Sequence, residues 1–195
     1  PIVKSMGTAP DGSLYSLPNM SNAIHTLTPN KLWMNTTWLN TLGLEAPTTT
    51  EEFYQTLKAF RDNDPNRNGQ PDEIPFFAPD NKGSQFVTFF MNSFICSDQD
   101  LLHVNSEGKI DASFTKPEWR EGLEYIKMLV EEGLIDETSF AATNDQLKQI
   151  AENPGDMILG ATVSLSPSSF MDLNGEKQKN YDTVAPLLGP NGVRY

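Results

Sequence analysis

Residues 48–75 read TTTEEFYQTLKAFRDNDPNRNGQPDEIP, and no other stretch decides as much of the fold. Thr48 followed three residues later by Glu51 is a capping box, a pattern that predicts the start of a helix. Three apolar side chains then recur at spacings of four and three, which predicts one buried stripe on that helix: Phe53, Leu57 and Phe60. The helix leads directly into a loop rich in Asp and Asn, so the end of the helix and the position of the loop are coupled.

This loop carries oxygen-bearing side chains on alternate residues, beginning at Asp64. Ca²⁺ takes about six to eight oxygen ligands, and a loop with one ligand at every second residue wraps around the ion. Gly69 allows the sharp turn that directs the Gln70 carbonyl inward. The spacing matches the first nine places of an EF-hand loop, but the twelfth place is Pro75, so Glu73 would act as the last ligand. The predicted metal ligands are Asp64, Asn66, Asn68, Gln70, Asp72 and Glu73.

The predicted role of the calcium ion is structural. No histidine lies near the loop in the sequence, and no group in it is suited to activate a water molecule. The alternative for this segment is an ordinary polar surface turn rich in Pro and Gly. The regular spacing of the oxygen donors favours calcium.

Composition limits the classes of function. The chain has 14 basic and 26 acidic residues, a formal net charge of −12. Such a surface argues against binding to nucleic acid or to an anionic membrane, because both need positive charge. A length of 195 residues with 37% hydrophobic content is enough for one compact domain, and no apolar run is long enough to span a bilayer. The single cysteine, Cys96, excludes an internal disulfide.

The rest of the sequence predicts a mixture of helices and strands. Lys31–Asn35 is a candidate strand, and Thr36 or Thr37 can cap a helix that Gly43 ends. Thr115 to Glu118 repeats the capping box. Further strands are predicted at 14–17, 101–104, 109–112, 157–159 and 183–185, and further helices at 84–94, 117–133 and 144–151. Such a mixture belongs to the α/β or α+β class.

Several segments resemble one family, the extracellular solute-binding proteins of bacterial ABC importers. Residues 32–44 (LWMNTTWLNTLGL) are similar to the strand and WL..LGL..P.T helix of its carbohydrate-type branch, family 1, and residues 48–75 continue the likeness. Residues 117–136 resemble its pew…L…EGLID helix, and residues 181–192 its y…pp..GP.G return strand. The resemblance implies an α/β lobe of the periplasmic-binding-protein type II fold, with helices packed around a small mixed sheet.

The resemblance also implies a function without chemistry: capture of a solute, carbohydrate or oligosaccharide, for import. The implied member is a calcium-loop-containing lipoprotein that acts as a monomer outside the cell and delivers solute to permease subunits of an ABC transporter. Residues 1–195 would be a single lobe excised from a two-lobe protein, with 1–18 and 183–195 approaching the hinge. The lipid anchor would then be absent from this chain.

Two aromatic residues, Tyr15 and Trp33, are the predicted solute contacts. Sugar sites place an aromatic face against the apolar side of a sugar ring, and both residues fall in segments expected near the hinge. The alternative is that they pack in the core or at the hinge. Trp38 and Trp119 lie on apolar helix faces and are predicted to be core residues.

The sequence leaves two other classes of function open. A calcium-stabilised hydrolase acting on polysaccharide needs two carboxylates, about 5 Å or about 6.5–9.5 Å apart. Glu131 and Glu132, or Asp98 and Asp100, could supply them, but nothing in the sequence selects a pair. A surface adhesion module with dockerin-like calcium loops predicts a second copy of the loop, and the sequence contains one.

Overall fold

The computed structural model describes residues 2–17, 28–81, 84–97, 101–105 and 107–195. The α-helices in these ranges are α1 (Ile2–Gly7), α2 (Thr36–Leu42), α3 (Thr50–Asp62), α4 (Phe86–Met91), α5 (Pro117–Glu131) and α6 (Asn144–Ala151). The strands are β1 (Lys31–Asn35), β2 (Ile74–Phe76), β3 (Asp80–Asn81), β4 (Ser84–Gln85), β5 (Leu102–Val104), β6 (Ile110–Ala112), β7 (Leu159–Ser164) and β8 (Tyr181–Val184). No helix in the described part of the chain is both long enough and apolar enough to cross a membrane.

Four strands form the main sheet, in the order β2–β7–β1–β8. The central strand β1 runs antiparallel to both of its neighbours, so that Leu32 lies opposite Val163 on one side and Val184 on the other. The edge strand β2 runs parallel to β7. The sheet is therefore small and mixed, as the sequence predicted, and the β3–β4 and β5–β6 pairs lie outside it.

The alternating side chains of β1 divide the core into two clusters. Leu32 and Met34 are fully buried with the apolar side chains of helices α2 to α5, including the predicted stripe on α3. Trp33 packs with the second cluster, which contains Phe170. Successive side chains of a strand point to opposite faces, which explains the division. Trp38 is fully buried as predicted, and Trp119 is partly buried against the same cluster.

The cap of α2 differs from the prediction. Asn35, the last residue of β1, accepts a hydrogen bond from the Trp38 backbone N–H at 3.1 Å, so neither Thr36 nor Thr37 is the cap. Both threonine hydroxyls are instead engaged with Asn180. Gly43 ends the helix with φ +66°, in the left-handed region that the prediction required.

The two predicted capping boxes also need correction. At α3 the cap is Thr49, whose hydroxyl accepts from the Glu52 N–H at 3.0 Å; the Glu52 carboxylate accepts from the N–H of Thr48, the residue before the cap, at 2.7 Å, so the reciprocal bond of a capping box is not made. At α5 the predicted box is wrong. The Thr115 hydroxyl donates to the Ala112 carbonyl within a short 3₁₀ turn, so α5 begins after Lys116 without a side-chain cap.

Several predicted strands are displaced. Only Leu14 of the predicted strand 14–17 pairs, through one isolated bridge to Thr8. The strand expected at 157–159 begins at Leu159 and continues to Ser164, and the one expected at 183–185 is β8, Tyr181–Val184. The hairpin predicted from 101–104 and 109–112 is confirmed as β5 and β6, and the helix at 144–151 is confirmed. The helix predicted at 84–94 is shorter, Phe86–Met91, since Ser84 and Gln85 belong to β4.

Asn35→Ala is expected to destabilise the chain by about 2–3 kcal/mol. The side chain is fully buried, caps α2 and donates to the Leu159 carbonyl at 3.3 Å, so its loss leaves the buried Trp38 N–H without a partner. Thr37→Ala is the control, since its exposed hydroxyl contacts only the Asn180 side chain and should cost less than about 1 kcal/mol. Urea unfolding of both variants measures the difference, and equal losses would contradict the assignment of the cap.

Candidate functional site

The loop between α3 and β2 is tightly coiled. Asp64, Arg67 and Gly69 have φ of 45°, 60° and 72°, so three residues adopt the left-handed region. Residues other than glycine rarely adopt that region, so other contacts must stabilise the backbone of Asp64 and Arg67 there. The Asp64 carboxylate supplies two of them, because its oxygens accept from the backbone N–H groups of Asn68 and Gly69, both at 3.1 Å.

Asp72 lies against the same coil. Its carboxylate accepts from the side-chain nitrogen of Asn66 at 2.9 Å and from that of Asn68 at 3.1 Å. The amide oxygens of the two asparagines accept from backbone N–H groups, Asn66 from Asn68 at 3.0 Å and Asn68 from Gln70 at 2.7 Å. The structure thus brings Asp64, Asn66, Asn68, Gln70 and Asp72 into one hydrogen-bonded group.

Glu73, the sixth predicted ligand, carries the clearest sign of a missing partner. Its Oε1 atom is buried and has no hydrogen-bond partner. Burial, followed by the nearby charges of Asp72 and Asp64, raises the pKa of this carboxyl group above its usual range. An unpaired buried carboxylate oxygen is unfavourable, and a cation would remove the penalty. The oxygen donors of the loop therefore fit a hard cation such as calcium.

The carboxylates alone do not make a metal site. Among the residues that the structure describes, no group of three or more His, Cys, Asp and Glu side chains could hold a metal ion. The nitrogens of Asn66 and Asn68, not their oxygens, face Asp72 in this arrangement. A calcium ion would therefore need the amide and backbone oxygens of the loop in addition to its acids.

Contacts from the loop reach two other elements. The Asn66 side chain donates to the Met157 carbonyl at 3.3 Å, and the Ile74 N–H donates to the Ile158 carbonyl at 2.7 Å, immediately before β7. On the helix side, Arg61 donates to the Glu132 carbonyl at 2.6 Å, beyond the end of α5. Asp62 is the last residue of α3 and pairs with Arg61, outside the group of predicted ligands. The loop connects α3 to β2 in the chain and is hydrogen-bonded to the residues just before β7. A structural ion in this loop would hold these elements together.

The two predicted solute contacts lie in different surroundings. Trp33 is half-buried in the sheet, where its indole nitrogen donates to the Ser164 carbonyl at 3.1 Å and its ring lies 6.1 Å from that of Phe170. Tyr15 is 75% exposed, and its hydroxyl donates to the Asp11 carboxylate at 2.7 Å. No hydrogen bond or ring contact among the described residues joins the two, and their role in binding stays a prediction.

Two adjoining cavities were not foreseen from the sequence. One of about 390 Å³ and one of about 240 Å³ share a wall made of Thr28, Asn30, Phe89 and Pro186. The larger is also lined by Gln85, Thr88, Asn92, Ser97 and Tyr195, among others. The lining comes from segments far apart in the chain, so no local spacing pattern could have indicated it.

The sequence is similar over its whole length to a transport protein. It is 34% identical over 202 residues to the fructooligosaccharide ABC transporter substrate-binding protein FusA of Streptococcus pneumoniae serotype 4, a match that covers 100% of this chain and 36% of FusA. It is 29% identical over 175 residues to lipoprotein LipO of Bacillus subtilis strain 168, covering 83% of this chain and 33% of LipO. No family model matches the sequence.

The fold is similar to solved structures of the first relative. FusA of S. pneumoniae in complex with kestose superposes with a TM-score of 0.84 at 31% identity, covering 98% of this chain and 39% of that chain. An EF-hand mutant of FusA in complex with fructo-nystose gives a TM-score of 0.84 at 32% identity, with the same coverage. The chain thus spans about a third of the length of these relatives. The predicted resemblance and α/β fold are confirmed, and the chain belongs to the family of ABC-transporter substrate-binding proteins.

Proposed function

We propose that this chain is part of a protein that captures a carbohydrate or oligosaccharide for import by an ABC transporter. The observation that carries the proposal is the match to FusA, which extends over the whole chain in sequence and over 98% of it in fold. FusA is named as a fructooligosaccharide-binding protein, and its solved structures hold kestose and fructo-nystose.

The proposal includes the organisation of the full-length protein. Residues 1–195 form one lobe of two, and the segments 1–18 and 183–195 lead towards the hinge. The protein is a monomer held outside the cell by a lipid anchor, and it passes its solute to the permease subunits. The likeness to LipO, a lipoprotein by name, supports the anchor.

A structural calcium ion in the loop after α3 is part of this proposal. Its ligands are Asp64, Asn66, Asn68, the Gln70 carbonyl, Asp72 and Glu73. The ion offsets the negative charge of three carboxylates and gives Glu73 Oε1 the partner that it lacks. The existence of an EF-hand mutant of FusA supports an equivalent loop in that relative.

We infer that the protein binds its solute without altering it. In the pair Glu131 and Glu132, which a hydrolase could use, the Glu132 carboxylate is already hydrogen-bonded. The Tyr54 hydroxyl donates to it and lies 2.9 Å from both of its oxygens. The pair Asp98 and Asp100 lies outside the described residues. FusA is named as a substrate-binding protein, which supports a binding function.

Tyr15 and Trp33 remain the proposed aromatic contacts to the solute. Tyr15 is 75% exposed, so its ring can stack on a sugar. Trp33 has much of its ring packed on the second core cluster, so a contact would use the remaining edge. Tyr15→Ala is therefore the cleaner test, because Trp33→Ala also removes core contacts.

A thermal-shift screen of the full-length protein, with calcium present, tests the proposed function. Neutral oligosaccharides, galacturonate oligomers and peptides are compared, and the sugars are recovered afterwards by chromatography. We expect one saccharide class to raise the melting temperature and to be recovered intact, because a ligand that binds only the folded state stabilises it. Cleavage that persists after repurification would establish a hydrolase instead. A shift with peptides alone would withdraw the carbohydrate assignment.

A further inference from the structure

The two adjoining cavities have a lining suited to a polar, uncharged ligand. In the larger, the described side chains that line it are amides, hydroxyls, apolar groups and aromatic rings, and none of these described residues is an acid or a base. Carboxamide groups can donate to and accept from sugar hydroxyls, and an aromatic ring can lie against the apolar face of a sugar. The volume of about 390 Å³ falls within the usual range of small-molecule sites, about 300–1,000 Å³.

The one ionisable cation at these cavities, Lys31, is already engaged. Its ammonium group donates to the backbone carbonyls of Thr28 and Leu165, at 2.5 and 3.0 Å. Both acceptors are neutral carbonyls that direct the ammonium group towards the backbone. Lys31 lines only the smaller cavity, so the larger one has no cationic side chain, among the described residues that line it, to pair with an anionic sugar.

Asn30 and Gln85 meet at the wall of the larger cavity. The Asn30 side-chain nitrogen lies 3.4 Å from Gln85 Oε1, a long contact that a sugar hydroxyl could replace. Asn92, by contrast, makes three bonds of 2.8–3.0 Å, two with the backbone of Ser97 and one to the Thr88 carbonyl, so its amide serves the fold. Phe89 lines both cavities and is 8% exposed.

Three other cavities in the described residues have charged side chains in their walls, and one of them, on α5, is lined by Arg120, Glu124 and Lys127. One beside the calcium loop is lined by Glu73, Asp136 and Glu137, and another at the start of α3 by Glu45, Glu51 and Glu52. With a net charge of −12 for the chain, such acidic surfaces suit cations better than a neutral sugar. The distribution of charge selects the Asn30–Gln85 cavities.

We propose that the cavities lined by Asn30, Gln85, Phe89 and Tyr195 are a further part of the solute site, beside the proposed contacts Tyr15 and Trp33, and that they select an uncharged oligosaccharide over a uronate. The inference rests on the proposed function and adds to it the residues and the charge class of the ligand. Asn30 and Gln85 hydrogen-bond the sugar hydroxyls, and the rings of Phe89 and Tyr195 bound its apolar face.

The test is calorimetric titration of the full-length protein with kestose, maltotriose and trigalacturonate. Gln85→Glu and Asn30→Asp keep the size of each side chain while they remove an amide donor and add a charge. Gln149→Glu is the matched control, because Gln149 is exposed on α6 and lies outside both cavities. We expect the first two variants to bind the neutral sugar about tenfold or more weakly, and the control to bind like the wild type. Thermal unfolding confirms that all three variants are folded.

Each remaining outcome has a separate meaning. If the wild type binds a neutral sugar and both cavity variants bind it equally well, the inference is overturned while the proposed function stands. Binding of trigalacturonate alone would likewise overturn the charge preference only. If no saccharide binds the wild type, the proposed function and the inference fall together. A loss caused by Tyr15→Ala but not by Gln85→Glu would move the site to the segment that contains Tyr15.

Discussion

Gly189→Ala is expected to destabilise the chain by about 3 kcal/mol or more. A Cβ atom at position 189 would lie 1.6 Å from the carbonyl oxygen of Ser93 and 2.7 Å from its carbonyl carbon. Both are backbone atoms, so the overlap can be relieved only if one of two packed segments moves. Overpacking of this kind forces shifts in the backbone, which is why a single methyl group has a large effect.

The segment around Gly189 connects two helices, which enlarges the effect. Leu188 donates to the Thr48 carbonyl at 2.8 Å and accepts from the Thr50 N–H at 3.0 Å, at the start of α3. The Ser93 hydroxyl donates to the Leu187 carbonyl at 2.9 Å, just beyond α4. A displacement at residue 189 would strain all three hydrogen bonds.

Gly122→Ala is the matched control for this prediction. Its Cβ would also be too close to other atoms, at 2.6 Å from Met91 Sδ, but that atom belongs to a flexible side chain. Gly122 lies within α5, where alanine is favoured over glycine by about 1 kcal/mol, so we expect a net change near zero. Urea denaturation of the two variants measures the contrast. A Gly189→Ala variant as stable as Gly122→Ala would contradict the packing described here.

Calcium is expected to raise the melting temperature of the chain by about 5–10 °C, and Asp64→Ala combined with Asp72→Ala should abolish the shift. A ligand at about one hundred times its Kd stabilises the folded state by about 2.7 kcal/mol. For a chain of this size, each kcal/mol corresponds to about 2–4 °C. The two acids are chosen because Asp64 holds the coil of the loop and Asp72 lies against it. Differential scanning calorimetry with calcium or with a chelator measures the shift.

Glu73→Gln separates metal binding from a purely structural role of the loop. Without calcium the substitution removes a partly buried, unpaired negative charge, so the variant should be as stable as the wild type or more stable. With calcium it should be less stable than the wild type, because one charged ligand is lost. Asp62→Asn is the control and should leave the calcium shift unchanged, since Asp62 pairs with Arg61 on the surface. A full calcium shift in Glu73→Gln would remove Glu73 from the ligand set.

The predictable parts of the fold are those encoded locally. The apolar stripe of α3, the strand Lys31–Asn35 and the ending of α2 at Gly43 all follow from spacings within a few residues, and the structure contains each of them. The cap of α2 was missed for a tertiary reason. Asn35 is buried and bonded to the Leu159 carbonyl of β7, a contact 124 residues away that no local pattern reveals.

The candidate site also has parts that are encoded locally and parts that depend on distant segments. The loop proposed to bind calcium could be recognised because its oxygen donors lie on alternate residues of one short segment, and the structure joins five of the six predicted ligands by hydrogen bonds. The orphaned oxygen of Glu73 could not be foreseen, since it depends on burial. The Asn30–Gln85 cavities could not be predicted because their walls come from segments far apart in the chain. Trp33 was predicted as a solute contact from its residue type and position, and the structure packs its ring against the second core cluster.

Calorimetric titration of the full-length wild-type protein with kestose, in calcium and with the sugar recovered afterwards, tests the central claim most directly. The account predicts saturable binding of about one molecule of kestose per protein, or of another neutral oligosaccharide used in its place. The bound sugar is then recovered uncleaved. The absence of heat with every saccharide tried, or the recovery of shortened sugar, would contradict a protein whose role is to capture solute for import.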